Sequence, residues 1–294
     1  MSAHLEAPGL TADWLNAWMA AIGAAVLVPG LRVGWSDEVV PIAVFTWASD
    51  TCDRDSAIVK TIARALPTTA SLDESVIART RAGYRDFPRN VTLEAYRDRA
   101  ALERKGRTTH LAASVTDLRG DADVKSLDHG AFDVSAPRGE TLWSRARSCA
   151  AAIPSAQRDE WLADTLAGRG HRVQLNGLGF DPRRLPSGVH GDGSGKEVFA
   201  DPVIELLDFC ALTLFPTRGN GARIRQRGWR DRATQRGAFE WSAWRPALDR
   251  WAIDAFLDLD HPPHGSVVAH YASVPYIPRG TQDVRRAYFS ERRT

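Results

Sequence analysis

A chain of 294 residues with 44% hydrophobic and 25% charged side chains can bury a substantial core, as one large domain or two closely packed ones. A net charge of +2 excludes a protein that coats nucleic acid over its whole surface, yet leaves room for a local basic patch. No apolar run approaches the ~20 residues of a membrane-spanning helix, and the first residues lack the basic start of a secretory signal. Cys52, Cys149 and Cys210 are too widely spaced for a zinc cluster or a disulfide framework, so the expectation is a cytoplasmic protein without metal or cofactor.

Taken in order, Thr11 is placed to cap a helix carrying Trp14, Leu15, Trp18, Met19 and Ile22 on one face. Two strands follow, Leu31 to Trp35 and Val39 to Trp47, joined across Ser36–Glu38. Residues 51–66 read as an amphipathic helix with Ile58, Ile62, Ala63 and Leu66 facing inward, and Pro67 stops it. Ser71–Glu74 has the spacing of a capping box, and Val91 to Lys105 reads as a helix with a charged, solvated face. Thr108 to Leu118 predicts a strand, Thr141 to Ala152 a helix broken by Pro154, and Gln157 to Leu166 a further short helix. Gly168–Gly170 is the best boundary if the single globular unit subdivides into residues 1–168 and 171–294. His171 to Leu175 reads as a strand, residues 185–197 as an exposed loop, Ala247 to Leu259 as a long last helix and Val267 to Tyr276 as a strand. The arginine pairs 285–286 and 292–293 read as a frayed tail. The fold class is α+β, with helices packed on one or two small mixed or antiparallel sheets.

The densest signal lies between Asp201 and Trp251. Asp201 caps a helix, Pro202 suits its first turn, and Val203, Leu206, Leu207, Cys210 and Leu214 recur at helical spacing until Pro216. Between Arg218 and Arg236 stand seven arginines against one acid, Asp231. Arg223, Arg225 and Arg227 alternate with Ile224 and Gln226, so an extended strand would put three guanidinium groups on one face. Such a row, with Trp229 beside it, suits a phosphate backbone or a stacked base better than a small anion. The competing account is a solvated hairpin in a chain where lysine occurs only at 60, 105, 125 and 196, an arginine bias that GC-rich coding produces by itself.

The order Pro202-Val-Ile-Glu-Leu-Leu, Leu214-Phe-Pro, Arg218-Gly, Arg225-Gln-Arg-Gly-Trp229, Phe239-Glu-Trp241 and Trp244-Arg-Pro-Ala-Leu248 resembles an accessory or large-subunit-like family of type I-G (formerly I-U) CRISPR–Cas loci. That family is sometimes found as an extension of the CRISPR helicase–nuclease. Similar blocks are Trp14–Ala24, Ser114–Asp117, Phe132–Gly139 with Thr141–Trp143, and Gly179–Arg184, spread over nearly the whole chain. The resemblance implies a non-catalytic subunit or accessory of an RNA-guided DNA interference complex. Its partners would be other effector subunits and guide RNA or target DNA. Candidate phosphate contacts are Arg218, Arg223, Arg225, Arg227, Arg230 and Arg232, with Trp229 for stacking and Arg183 and Arg184 as further candidates.

Other motifs carry less. Gly191–Lys196 lacks the first glycine of a phosphate loop, a position held by His190, and Glu197 stands where a magnesium-binding hydroxyl belongs. Asp258, Asp260, His261 and His264 combine metal-binding residue types, and a metal-dependent nuclease or hydrolase built on them is the alternative enzyme reading. A third reading is a protein-binding scaffold whose faces carry Trp14, Trp18, Trp241, Trp244 and Trp251.

Overall fold

The computed structural model describes residues 2–48, 54–73, 97–98, 101, 115–116, 128–129, 132, 142–181, 199–219, 224–230, 238–259, 262–276 and 287–293. Inward Ala3 and Ala7 alternate with outward His4 and Glu6, and Ser2–Thr11 forms strand β1. The sequence reading missed this strand because Pro8 and Gly9 interrupt it. They mark a register break between Ala7 and Thr11, where β1 comes so close to the end of a later helix that a Cβ on Gly9 would lie 1.9 Å from the Thr165 carbonyl oxygen. Thr11 therefore ends a strand. The N-cap position of the following helix is Trp14, which makes no side-chain capping bond.

That helix, α1 (Leu15–Leu27), has no charged residue, and every position from Leu15 to Ala25 is buried. Strands β2 (Arg32–Trp35) and β3 (Ile42–Ala48) follow, giving an antiparallel sheet in the order β1-β3-β2. Helix α2 (Arg54–Ala65) buries Ile58, Ile62 and Ala63 as its periodicity predicts, and Leu66 just past its end is buried with them. Helix α3 (Thr69–Asp73) starts three residues ahead of the expected capping box. Thr68 and Ser71 cap it reciprocally, each side-chain oxygen accepting from the other's backbone N–H at 2.9–3.0 Å.

Two short ladders, β4 (Val115–Thr116) with β5 (Asp128–His129) and β6 (Val173–Gln174) with β7 (Phe199–Ala200), bracket α4 (Leu142–Ala152) and α5 (Arg158–Leu166). Arg158 donates to the carbonyls of Leu66 (2.6 Å) and Pro67 (3.3 Å), filling acceptors just past the end of α2. Burial lowers the pKa of its guanidinium, with Asp159 acting the other way.

Helix α6 (Pro202–Ala211) is buried at all ten positions. Its cap is the one the sequence predicts: Asp201 accepts from Val203 N and Ile204 N, and Pro202 occupies the first turn. It lies directly on α1, where a Cβ on Gly23 would fall 1.9 Å from the Leu207 carbonyl oxygen. Only glycine permits that approach. Since α1 and α6 come from opposite sides of Gly168–Gly170, the core draws on both halves of the chain.

Beyond α6 come β8 (Thr217–Gly219), β9 (Ile224–Gln226), β10 (Trp229–Arg230), β11 (Ala238–Trp244), α7 (Arg250–Phe256), β12 (Val267–Tyr276) and β13 (Ala287–Arg293). Strands β10-β11-β12-β13 make a four-stranded antiparallel sheet, and β8 and β9 a separate pair. Arg292 and Arg293 pair with Tyr271 and His270 in the β12–β13 ladder, which corrects the frayed tail predicted for them; Arg285 and Arg286 lie outside the described residues.

Three indoles hold the two larger sheets and α1 together. Trp18 donates to the Ser242 carbonyl (3.0 Å), Trp241 to that of Ala12 (2.7 Å) and Trp244 to that of Val33 (2.9 Å). Val33 and Leu248 add a backbone bridge. Trp18 is surrounded by Phe215, Phe239, Trp241 and Trp244, with ring centroids 6.0–6.2 Å away. These three tryptophans are interior residues, so they cannot form the partner-binding face of the scaffold reading. The protein is α+β with antiparallel sheets, and no helix among the described residues is long and apolar enough to cross a membrane.

Candidate nucleic-acid interface

The arginine-rich segment divides into residues with different duties. Strand β9 is three residues long, and Arg227 and Gly228 make the turn into β10. Gly228 has φ +77°, and a Cβ there would press to 2.5 Å from the Phe239 ring. The turn redirects Arg227, so the expected row of three guanidinium groups on one strand face does not include it. Its side chain is 4% exposed and reaches three acceptors: the Leu214 carbonyl at 2.5 Å, Asp254 at 2.8 Å and Asp258 at 2.7–2.9 Å. Arg227 is thus a clamp between α7 and the end of α6, and the assignment of this residue to phosphate contact is corrected.

Trp229 is half-buried and packs edge-on against Phe132 (5.5 Å) and Phe239 (5.6 Å). Those contacts make it a wall of the aromatic core more than a base platform. Phe132 itself is buried and also meets Phe180 and Phe215, a long-range contact that no local periodicity announces.

Arg218 and Arg225 stand directly opposite each other in the β8–β9 ladder, with Thr217 opposite Gln226 and Gly219 opposite Ile224. Gln226 is buried and donates to the Phe215 carbonyl at 2.8 Å, which ties the ladder to the turn after α6. Arg230 lies in β10, opposite Ala238. Arg183, Arg184, Arg223 and Arg232 lie outside the described residues, as does the Gly191–Lys196 loop. The structure therefore brings Arg218 and Arg225 onto one rung and removes Arg227 from the set.

The alternative metal cluster is not assembled by the residues that are described. Asp258 pairs with Arg227 and His264 is exposed, while Asp260 and His261 lie outside the described residues. Among the described residues, no group of three or more His, Cys, Asp or Glu side chains is placed to hold a metal ion.

A second charged region was not legible beforehand. Asp201, Glu205 and Asp208 occupy positions i, i+4 and i+7 of the capped α6, one stripe of the helix, and all are buried together with Asp181. Asp201 is used by the cap and by the Thr165 hydroxyl (3.0 Å), Glu205 accepts from Leu178 N, and Arg172 lies 3.4 Å from Asp181. Asp208 is 0% exposed, and neither of its oxygens has a hydrogen-bond partner. Burial first, then Glu205, Asp181 and Asp201, raise its carboxyl well above the usual range, so it is held protonated.

Burial, with Glu205, likewise pushes the Cys149 thiol up, and burial raises Cys210. Neither thiol is an activated nucleophile. A cavity of about 630 Å³ lies between α4 and residues 174–177, where Arg145 donates to the Gly177 carbonyl at 3.0 Å. Gly177 (φ +54°) separates the cavity from Glu205, whose carboxyl carbon would be 2.7 Å from a Cβ there.

No known protein family matches the chain, and no curated protein or solved structure is significantly similar to it.

Proposed function

We propose that the protein is a nucleic-acid-binding subunit or accessory of a type I CRISPR interference complex, binding partner subunits and the phosphate backbone of guide RNA or target DNA. The CRISPR assignment rests on the sequence blocks from Trp14 to Leu248. The observation that supports backbone binding is the Arg218–Arg225 rung. Like charges directly opposite in an antiparallel ladder repel, and a phosphate between them converts that repulsion into two charge-assisted contacts. With Arg227 committed elsewhere, the working set is Arg218, Arg223, Arg225, Arg230 and Arg232.

The test is affinity for short single-stranded DNA, RNA and duplex DNA over a salt series. Binding should weaken steeply with salt, at about 0.7–0.9 in log–log slope per neutralised phosphate. The double variant Arg218→Ala/Arg225→Ala should lower that slope by about 1–2 on every sequence. Absence of binding at low salt would remove backbone recognition. Failure to co-purify with the effector subunits and guide RNA would remove the complex assignment.

A further inference from the structure

The spacing from Ala247 to Leu259 predicts one long helix, but α7 holds only the seven residues Arg250–Phe256. The Leu248 backbone is bridged to Val33, and Asp249 caps the helix start. One side of α7 faces the protein: Ile253 is buried, and Phe256 packs on Trp244 with ring centroids 5.2 Å apart. The other side faces water. Trp251 is 70% exposed, and Ala255, its neighbour four residues on, is exposed as well. Leu259 is 47% exposed in the turn that closes the helix, where its N–H donates to the Phe256 carbonyl at 3.1 Å. Two helical turns and this tight end span about 13 Å.

Of the five tryptophans in the scaffold reading, Trp18, Trp241 and Trp244 are buried and Trp14 is half-buried against the core. Trp251 is the one left in solvent. Its ring is braced by the Arg250 guanidinium, 5.1 Å from the centroid. A braced ring loses little freedom when a partner covers it, and tryptophan is a favoured anchor of protein interfaces.

The charge around the ring selects the partner. The Arg227 side chain is 4% exposed, whereas the Asp254 and Asp258 carboxylates it binds are 43% and 47% exposed. The cation of this cluster lies inside and its carboxylates form the outer rim. Asp249 adds a third acid at the helix start, where it accepts from Trp251 N and Ala252 N. Three aspartates thus stand against Arg227 and Arg250. Such a rim repels a phosphate backbone and attracts lysine or arginine.

We infer that the outer side of α7 is a docking face for a protein partner, with Trp251 as its anchor. The partner segment is amphipathic: its apolar side chains cover the ring, and its lysines or arginines meet Asp254 and Asp258. The inference rests on the partner-subunit part of the reading above and specifies the chemistry that such a partner presents.

The probes are two labelled amphipathic helical peptides of equal length, one of leucine and lysine and one of leucine and glutamate, titrated into the full chain and read by anisotropy. Wild type should bind the leucine–lysine peptide about tenfold more tightly or better, and added salt should narrow the gap. Trp251→Ala should weaken that peptide by about 30-fold with thermal unfolding unchanged, and Trp251→Phe should restore most of the loss. Val39→Ala, at another highly exposed apolar side chain, should bind as wild type does. Trp251→Ala should also lose a protein subunit from the assembled complex while its affinity for single-stranded DNA and RNA holds. Equal peptide affinity of wild type and Trp251→Ala, or no preference between the two peptides, would overturn the docking face and leave the complex assignment standing. A loss of strand affinity in Trp251→Ala with peptide binding intact would overturn it too, making the ring a nucleic-acid contact. Trp251-dependent peptide binding by a wild type that does not co-purify with effector subunits would remove the complex assignment and leave the docking face.

Discussion

Arg227 and Asp208 are both ionisable side chains taken out of water, and the protein treats them in opposite ways. Arg227 meets a carbonyl and two carboxylates, so its charge is retained and holds α7 against the end of α6. Asp208 meets no hydrogen-bond partner and lies near three other buried carboxyls, so its charge is given up. A buried charge survives only where the chain supplies opposite charge and hydrogen bonds together; otherwise the group gives up its charge. The comparison also explains why an arginine-rich segment is a poor guide by itself. One of its seven arginines is a structural clamp, and the sequence around it looks no different from its neighbours.

Three substitutions test this contrast. The largest effect should come from Arg227→Leu, which strands Asp254, Asp258 and the Leu214 carbonyl. A loss of about 2–3 kcal/mol is expected in urea denaturation, below the figure for a fully buried pair because both carboxylates are nearly half exposed and rehydrate. No loss would mean that α7 is held by packing alone.

The next effect has the opposite sign. The folded-state pKa of Asp208 is raised, so below the unfolded value near 3.9 the carboxyl is protonated in both states and costs little. As pH rises through the interval above it, the unfolded state loses its proton while the folded state keeps it, and stability falls. Asp208→Asn should therefore be more stable than wild type by about 1–2 kcal/mol at pH 8. The gain should vanish towards pH 4. A constant difference at both pH values would show that packing, not ionisation, separates the two proteins.

The smallest effect is expected from Asp254→Asn. Its carboxylate is 43% exposed and Arg227 keeps Asp258 and Leu214, so the loss should be about 0.5 kcal/mol and should shrink further in high salt. A loss as large as that of Arg227→Leu would make Asp254 the essential partner.

How far these features could be read from sequence depends on whether their causes are local. The α6 cap, the inward face of α2, the β12 span and the α4 limits follow from spacing and caps within one element. β1 was hidden because Pro8 and Gly9 imitate a turn, whereas Gly9 serves a close approach to Thr165 and Gly168. Helix α7 was drawn too long because Ala247 and Leu248 have helical character, yet the Leu248 backbone is taken by Val33 of the other sheet. For the interface, the Arg218 and Arg225 positions were legible as charge, but their shared rung needed the β8–β9 register. Arg227 was misassigned because its acceptors lie 13 to 31 residues away. Of the five tryptophans grouped as a partner-binding face, Trp18, Trp241 and Trp244 are buried and Trp251 is exposed, a division decided by what the rest of the fold leaves uncovered.

The three indole hydrogen bonds also constrain how the chain is made. They join residues separated by 211, 224 and 229 positions, linking the first 33 residues to strand β11. At about 5–20 residues per second, α1 emerges from the ribosome roughly 10–45 s before its aromatic partners exist. Throughout that interval an uncharged helix, destined to be buried from Leu15 to Ala25, faces water. Synthesis that stops before Trp241 therefore leaves α1 without the rings and indole bonds that enclose it in the folded chain.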